Sequence, residues 1–224
     1  MSETIQTPGA LEELARDPGS RKEFLKKMGG GAAGASAFAL FLSACGNSNR
    51  GSAGTTAATG TGAMAHESGD IAIVNYALTL EYVEADFYRK VIASGLFKGA
   101  SLSLIKVIGA HEAAHVAALK STVQKLGGTP AAKPKTTFPL DSAQSVLTLA
   151  ATVENLGAAA YLGQAGRIKS KEILAAALSI HTVEARHASA LNVLLGKSPT
   201  PDGAFSKPAS MAEVLPQVKP FIIS

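Results

Sequence analysis

The chain has 224 residues, room for one domain of ordinary size with a tail. Apolar residues make up 46% and aromatics 5%, with no tryptophan, and the Ala, Leu, Glu and Lys abundant after residue 70 favour helix over strand. Net charge is +4 with Lys and Arg scattered, which argues for a solvated basic surface and against nucleic acid as a partner. The single cysteine, Cys45, excludes an intrachain disulfide and any CxxC metal or redox motif.

Residues 1–45 read as an address. A basic cluster, Ser20-Arg21-Lys22-Glu23-Phe24-Leu25-Lys26-Lys27, precedes an uncharged stretch from Met28 to Ala44. A basic region before a modest apolar one is the pattern of a signal peptide. The stretch is Gly-rich and short of the roughly 20 well-apolar residues that a permanent span needs. Its ending, Leu42-Ser43-Ala44-Cys45, resembles the bacterial lipobox, and that resemblance implies lipidation at Cys45 and a membrane anchor. Arg21, Lys22, Phe24 and Leu25 resemble a twin-arginine export motif, departing from it at Lys22, where the second Arg is expected. General secretion is the alternative route. Either way the expected location is the bacterial cell envelope, lipid-anchored on a periplasmic or extracytoplasmic face. Residues 46–69, rich in Gly, Ser, Thr and Ala, read as a flexible linker spanning roughly 27 Å.

Four helical runs follow. The first, over 70–94, spaces Ile71, Val74, Leu78, Tyr82, Ala85 and Tyr88 or Arg89 at helical period and ends at Ser94-Gly95. The second covers 101–127 and stops at Gly127-Gly128. Pro130, Pro134 and Pro139 keep 129–140 out of helix. The third starts after a cap at Asp141-Ser142 and reaches Gly166; the fourth runs from about Ser170 to Leu195. Short links within each pair predict antiparallel hairpins. The long link between the second and third helices can run the length of the bundle. The expected fold is therefore all-α: a ferritin-like four-helix bundle over 70–196 with one long crossover between helices 2 and 3. The tail, 197–224, holds five prolines and predicts irregular chain with at most a short helix; packing over one end of the bundle is one expectation for it.

The hairpins repeat each other. Glu81 has Tyr88 seven residues on, and Glu154 has Tyr161 seven residues on. The second helix carries Glu112-Ala-Ala-His115 and the fourth Glu184-Ala-Arg-His187. Residues i and i+3 share a helix face, so each Glu and its His point together. Six ligands emerge: Glu81, Glu112, His115, Glu154, Glu184 and His187. Four buried carboxylates would be prohibitive alone, and two divalent cations neutralise them. Mixed carboxylate and imidazole donors suit two Fe or Mn ions, with Zn as an alternative. Glu81 is preferred over Glu84 because the repeat selects it; Glu84 reads as a neighbour of the site or an extra ligand. Tyr88 and Tyr161 read as partners of the ligand carboxylates or ordinary core tyrosines. His181 and His111 read as outer or surface residues rather than ligands.

The order Glu, Glu-x-x-His, Glu, Glu-x-x-His resembles the ferritin-like di-metal carboxylate superfamily. The phrases Leu80-Glu-Tyr-Val-Glu-Ala-Asp-Phe-Tyr88 and Val183-Glu-Ala-Arg-His187 are similar to exported ferritin-like proteins related to desiccation-associated ones. The resemblance implies an oxidoreductase acting on peroxide or dioxygen or oxidising Fe(II), peroxidase-, catalase- or ferroxidase-like. The alternative is a non-catalytic, metal-binding or stress-response envelope lipoprotein. Homodimerisation and the redox partner stay open at this level. The lack of a CxxC cluster disfavours a self-contained rubrerythrin-type peroxidase, and a lipid tether conflicts with a storage cage.

Overall fold

A computed structural model describes residues 69–223 of the protein; Arg21, Lys22, Phe24, Leu25, Cys45 and most of the linker lie outside the described residues. Four long helices dominate it: α1 (Asp70–Ala93), α2 (Gly99–Lys125), α3 (Ala143–Ala165) and α4 (Lys171–Leu194). A short α5 (Met211–Val218) follows, then one 3-10 turn. Two two-residue strands, β1 (Lys135–Thr136) and β2 (Ile222–Ile223), pair antiparallel with Thr136 opposite Ile222.

Local chemistry sets the helix ends. Ser142 caps α3: its hydroxyl accepts from the Ser145 N–H, and Ser145 Oγ accepts from the Ser142 N–H. Ser170 Oγ accepts from the Ile173 N–H at the start of α4. Gly127, at φ +78°, turns the chain out of α2 in the left-handed conformation that favours glycine. The Asp70 carboxylate accepts from the Lys169 and Ser170 N–H groups, so α1 and α4 start at the same end. Asn75 donates to the Thr129 carbonyl, which brings the end of α2 there too. The crossover, 126–142, must then travel to the other end, where α3 begins. This is the topology expected of a bundle with one long crossover.

Two apolar layers fill the interior. One holds Phe87, Val91, Ile105, Ile108, Val146 and Leu191; the other holds Val74, Leu78, Leu119, Val123, Ile173 and Ile180. Burying each such side chain contributes about 1.5–3 kcal/mol. Between the layers α1 carries Glu81 and Glu84.

The tail departs from an end-cap. It lies along the flank of α1 and α3. Val214 and Val218 of α5 pack on Leu80, Val83 and Ala160. The Ala209 N–H donates to the Ala159 carbonyl, and a Cβ on Gly163 would collide with the Ala209 backbone, so this approach requires glycine. β2 then straps the tail to the crossover, where Phe138 packs edge-on to Phe87 and stacks on Phe221. This cover explains why α1 is buried on more of its circumference than one stripe of apolar residues predicts. Leu80, Val83 and Phe87 form a second buried face, whereas Ile71 and Tyr82 are half-buried and Arg89 is exposed.

Candidate metal centre

Glu81 from α1, Glu112 from α2, Glu154 from α3 and Glu184 from α4 meet in the layer between the apolar clusters, all fully buried. His115 and His187, one turn beyond their glutamates, turn inward with them. His115 Nδ1 stands 3.2 Å from Glu81 Oε2, 3.1 Å from Glu112 Oε2 and 3.0 Å from Glu184 Oε1. His187 Nδ1 stands 3.0 Å from Glu112 Oε1 and 3.2 Å from Glu154 Oε2. Two groups of four donors result, one atom per residue, each set of atoms lying within 4.8 Å of one another. The first is Glu81, Glu112, His115 and Glu184; the second is Glu112, Glu154, Glu184 and His187. Glu112 and Glu184 belong to both. The six predicted ligands thus converge on two adjoining positions with two shared carboxylates.

The hydrogen-bond inventory shows what these positions fit. An imidazole Nδ1 carries at most one hydrogen, yet three carboxylate oxygens crowd His115 Nδ1. Glu112 Oε1 and both oxygens of Glu184 are buried without a hydrogen-bond partner. Glu184 Oε1 is close to His115, and Glu112 Oε1 to His187, but without hydrogen-bond geometry. Each such orphan costs about 1–3 kcal/mol or more. Two cations at these positions would satisfy all three oxygens, and the donor set suits iron or manganese.

Without cations, protons hold the layer together. Burial pushes the Glu81 carboxyl up to about 7 and that of Glu184 well above its ordinary range. Burial also pushes Glu112 up, but its hydrogen bond with His115 and the close approach of His187 outweigh it and hold this carboxyl down at about 2. Burial lowers both imidazoles, and their carboxylate partners more than reverse it. His187 rises to about 9, and His115 rises further under Glu112, Glu184 and Glu81. Two imidazolium charges beside the ionised Glu112, with the proton that burial retains on Glu184, stand in for the cations' charge.

The tyrosines cross between hairpins. Tyr88 on α1 donates to Glu154 Oε1 of α3 at 2.5 Å, and Tyr161 on α3 donates to Glu81 Oε1 of α1 at 2.6 Å. Burial and these carboxylates raise both phenols well above 10, so they stay protonated and donate. Each therefore fixes the glutamate of the opposite helix. His181 does not join them: its Nδ1 bonds the Ala158 carbonyl, pinning α4 to α3. His111 does: its Nδ1 lies 2.9 Å from His187 Nε2, with the rings stacked. Glu84 is 3% exposed and lies among the other carboxylates. Gly157 escaped the sequence reading, although the repeat carries the signal: it falls at the position in α3 that corresponds to Glu84 in α1.

A family model described as the ferritin-like domain matches residues 69–197. None of the curated proteins compared matches the chain.

Proposed function

The chain belongs to the ferritin-like domain family, and from that premise we propose that its buried centre binds two iron or manganese ions and reacts with peroxide or dioxygen, or oxidises Fe(II). The observation that carries the reading is the pair of four-donor groups sharing Glu112 and Glu184, with three orphaned oxygens between them. When bound, such an ion pair supplies redox chemistry toward dioxygen or peroxide. The chain's own residues do the rest. Glu112 and Glu184 tie the two positions together. His115 and His187 each present Nδ1. When His187 gives up its Nδ1 hydrogen to ligate, its remaining hydrogen sits on Nε2 and donates to His111 Nδ1. Tyr88 and Tyr161 lock the rotamers of Glu154 and Glu81 by the bonds that they donate. The apolar layers on either side keep bulk water from the carboxylates.

Complete burial of all four carboxylates also supports a second reading, a closed centre that binds metal and stabilises the bundle without turnover. One experiment separates the two. Full-length protein loaded anaerobically with Fe(II) or Mn(II) is expected to hold about two ions per chain. Peroxide or dioxygen then changes its optical spectrum. Elemental analysis finding no metal removes both readings; a loaded centre inert to both oxidants leaves the structural one.

The same proposal places the domain outside the cytoplasmic membrane, exported through the Arg21-Lys22 motif and held by lipid on Cys45. Cells grown with labelled fatty acid should label the wild type and not Cys45→Ser. Label persisting in that variant refutes the anchor, and export undiminished by replacing Arg21 and Lys22 refutes the twin-arginine route.

A further inference from the structure

The internal repeat breaks at one point in the carboxylate layer. It carries Glu81 onto Glu154 and Tyr88 onto Tyr161, but Glu84 onto Gly157. Gly157 lies in the middle of α3 at an ordinary helical φ, so it is not there to make a turn. A mid-helix glycine weakens a helix, and something must account for it. Space does. A Cβ on Gly157 would stand 2.8 Å from Glu84 Oε1 and 3.4 Å from Glu184 Oε2. The side chain that α3 lacks is the room into which α1 extends the Glu84 carboxyl, and Glu184 faces the same point.

Glu84 itself needs an explanation. It is 3% exposed, and no hydrogen bond from a described residue reaches its carboxyl. Its strongest electrostatic neighbours are the carboxyls of Glu184, Glu81, Glu154 and Glu112, and its charge also reaches the phenols of Tyr76, Tyr88 and Tyr161. Sequestering a fifth acid among four others, and removing a side chain to admit it, makes sense if the acid serves a cation. Both oxygens of Glu184, which faces the same notch beside Gly157, are themselves orphaned.

From this we infer that Glu84 is a seventh protein ligand of the centre, seated in the notch left by Gly157, and that it makes the two metal positions unequal. The inference rests on the two-ion reading above. Without Glu84 the two positions have matching donors: two shared carboxylates, one further Glu and one His each. One added carboxylate breaks that equality. The position that gains it has more anionic oxygen and holds its ion more tightly. Oxygen-rich ligation also favours the harder, more highly charged state of a redox metal.

Two full-length variants test this, each titrated with Mn(II) and followed by stepwise affinity and by the paramagnetic resonance spectrum at one equivalent. Glu84→Gln keeps the volume and removes the charge. Gly157→Ala keeps the charge and fills the notch. A small cavity of about 10 Å³ between Leu80, Val83, Gly157 and Val214 of α5 offers Glu84 somewhere to retreat, so the helices need not part. The wild type is expected to bind two Mn(II) in distinguishable steps. Each variant should weaken one step tenfold or more, leave the other within about threefold, and alter the one-equivalent spectrum. Unchanged affinities and spectra in both folded variants overturn the role of Glu84 while leaving the two-ion centre standing. A wild type that takes up no Mn(II) overturns the centre and this inference together.

Discussion

Glu112→Ala should empty both metal positions at once, whereas Glu81→Ala should empty one. Glu112 belongs to both four-donor groups, and Glu81 to the first alone. Elemental analysis of anaerobically loaded protein should fall from about two ions per chain to none in the first variant and to about one in the second. The stability effect is ordered the same way. In the metal-free protein Glu112 partners both His115 and His187, at 3.1 and 3.0 Å. Removing one partner from a buried ionic pair costs about 3–5 kcal/mol, because the remaining charge stays desolvated. Glu112 has two such partners, so thermal unfolding of metal-free Glu112→Ala should shift by more than 10 °C at roughly 2–4 °C per kcal/mol. Glu81 has one imidazole contact and a Tyr161 hydroxyl, so the smaller shift belongs to it. Two ions retained by Glu112→Ala would show that the shared carboxylate is no bridge.

The helices and the convergence of the six Glu and His side chains could be read from the chain because both are periodic. Glycine and proline punctuate the runs, and Glu-x-x-His places two donors on one face by helix geometry alone. The repeat then ties α1 to α3 and α2 to α4. What could not be read lies where the repeat fails or where contacts cross between elements. His111 precedes Glu112 in sequence, but its partner His187 is on α4, so only the packing angle of two helices brings the rings together. The crossing of Tyr88 to Glu154 and Tyr161 to Glu81 likewise depends on which helices face each other. Periodicity says which way a side chain points and not what it meets. The tail shows the same limit. Its prolines correctly forbid a long helix, but the apolar pair Val214 and Val218 announces burial without naming α1 and α3 as the surface. Those contacts in turn buried a face of α1 that a single-stripe reading leaves in solvent.

The metal-free protein should lose stability as pH rises from 6 to 9, and the metal-loaded protein should not. Two groups set the sign. His187 has an ordinary value near 6.5 and is raised to about 9 because Glu112 and Glu154 outweigh its burial. A raised imidazole contributes stability that is fully present below 6.5 and is lost as pH climbs through 9. Glu81 is raised by burial from 4.5 to about 7. Its folded form holds a proton that the unfolded chain has already released, so it too costs stability as pH rises from 4.5 through 7. Both groups act in one direction. The His187 shift alone corresponds to about 3 kcal/mol, or roughly 10 °C of melting temperature for a domain of this size. Cations replace those protons. Loading should therefore release protons near neutral pH, and the heat of binding should vary with the ionisation enthalpy of the buffer. Apparent affinity should tighten as pH climbs toward 9, because the proton on His187 becomes progressively easier to displace. Melting curves of the metal-free protein that stay flat across this range would mean that the buried carboxylates and imidazoles do not share protons as the geometry requires. Buffer-independent heats would mean that the metal does not enter at those atoms.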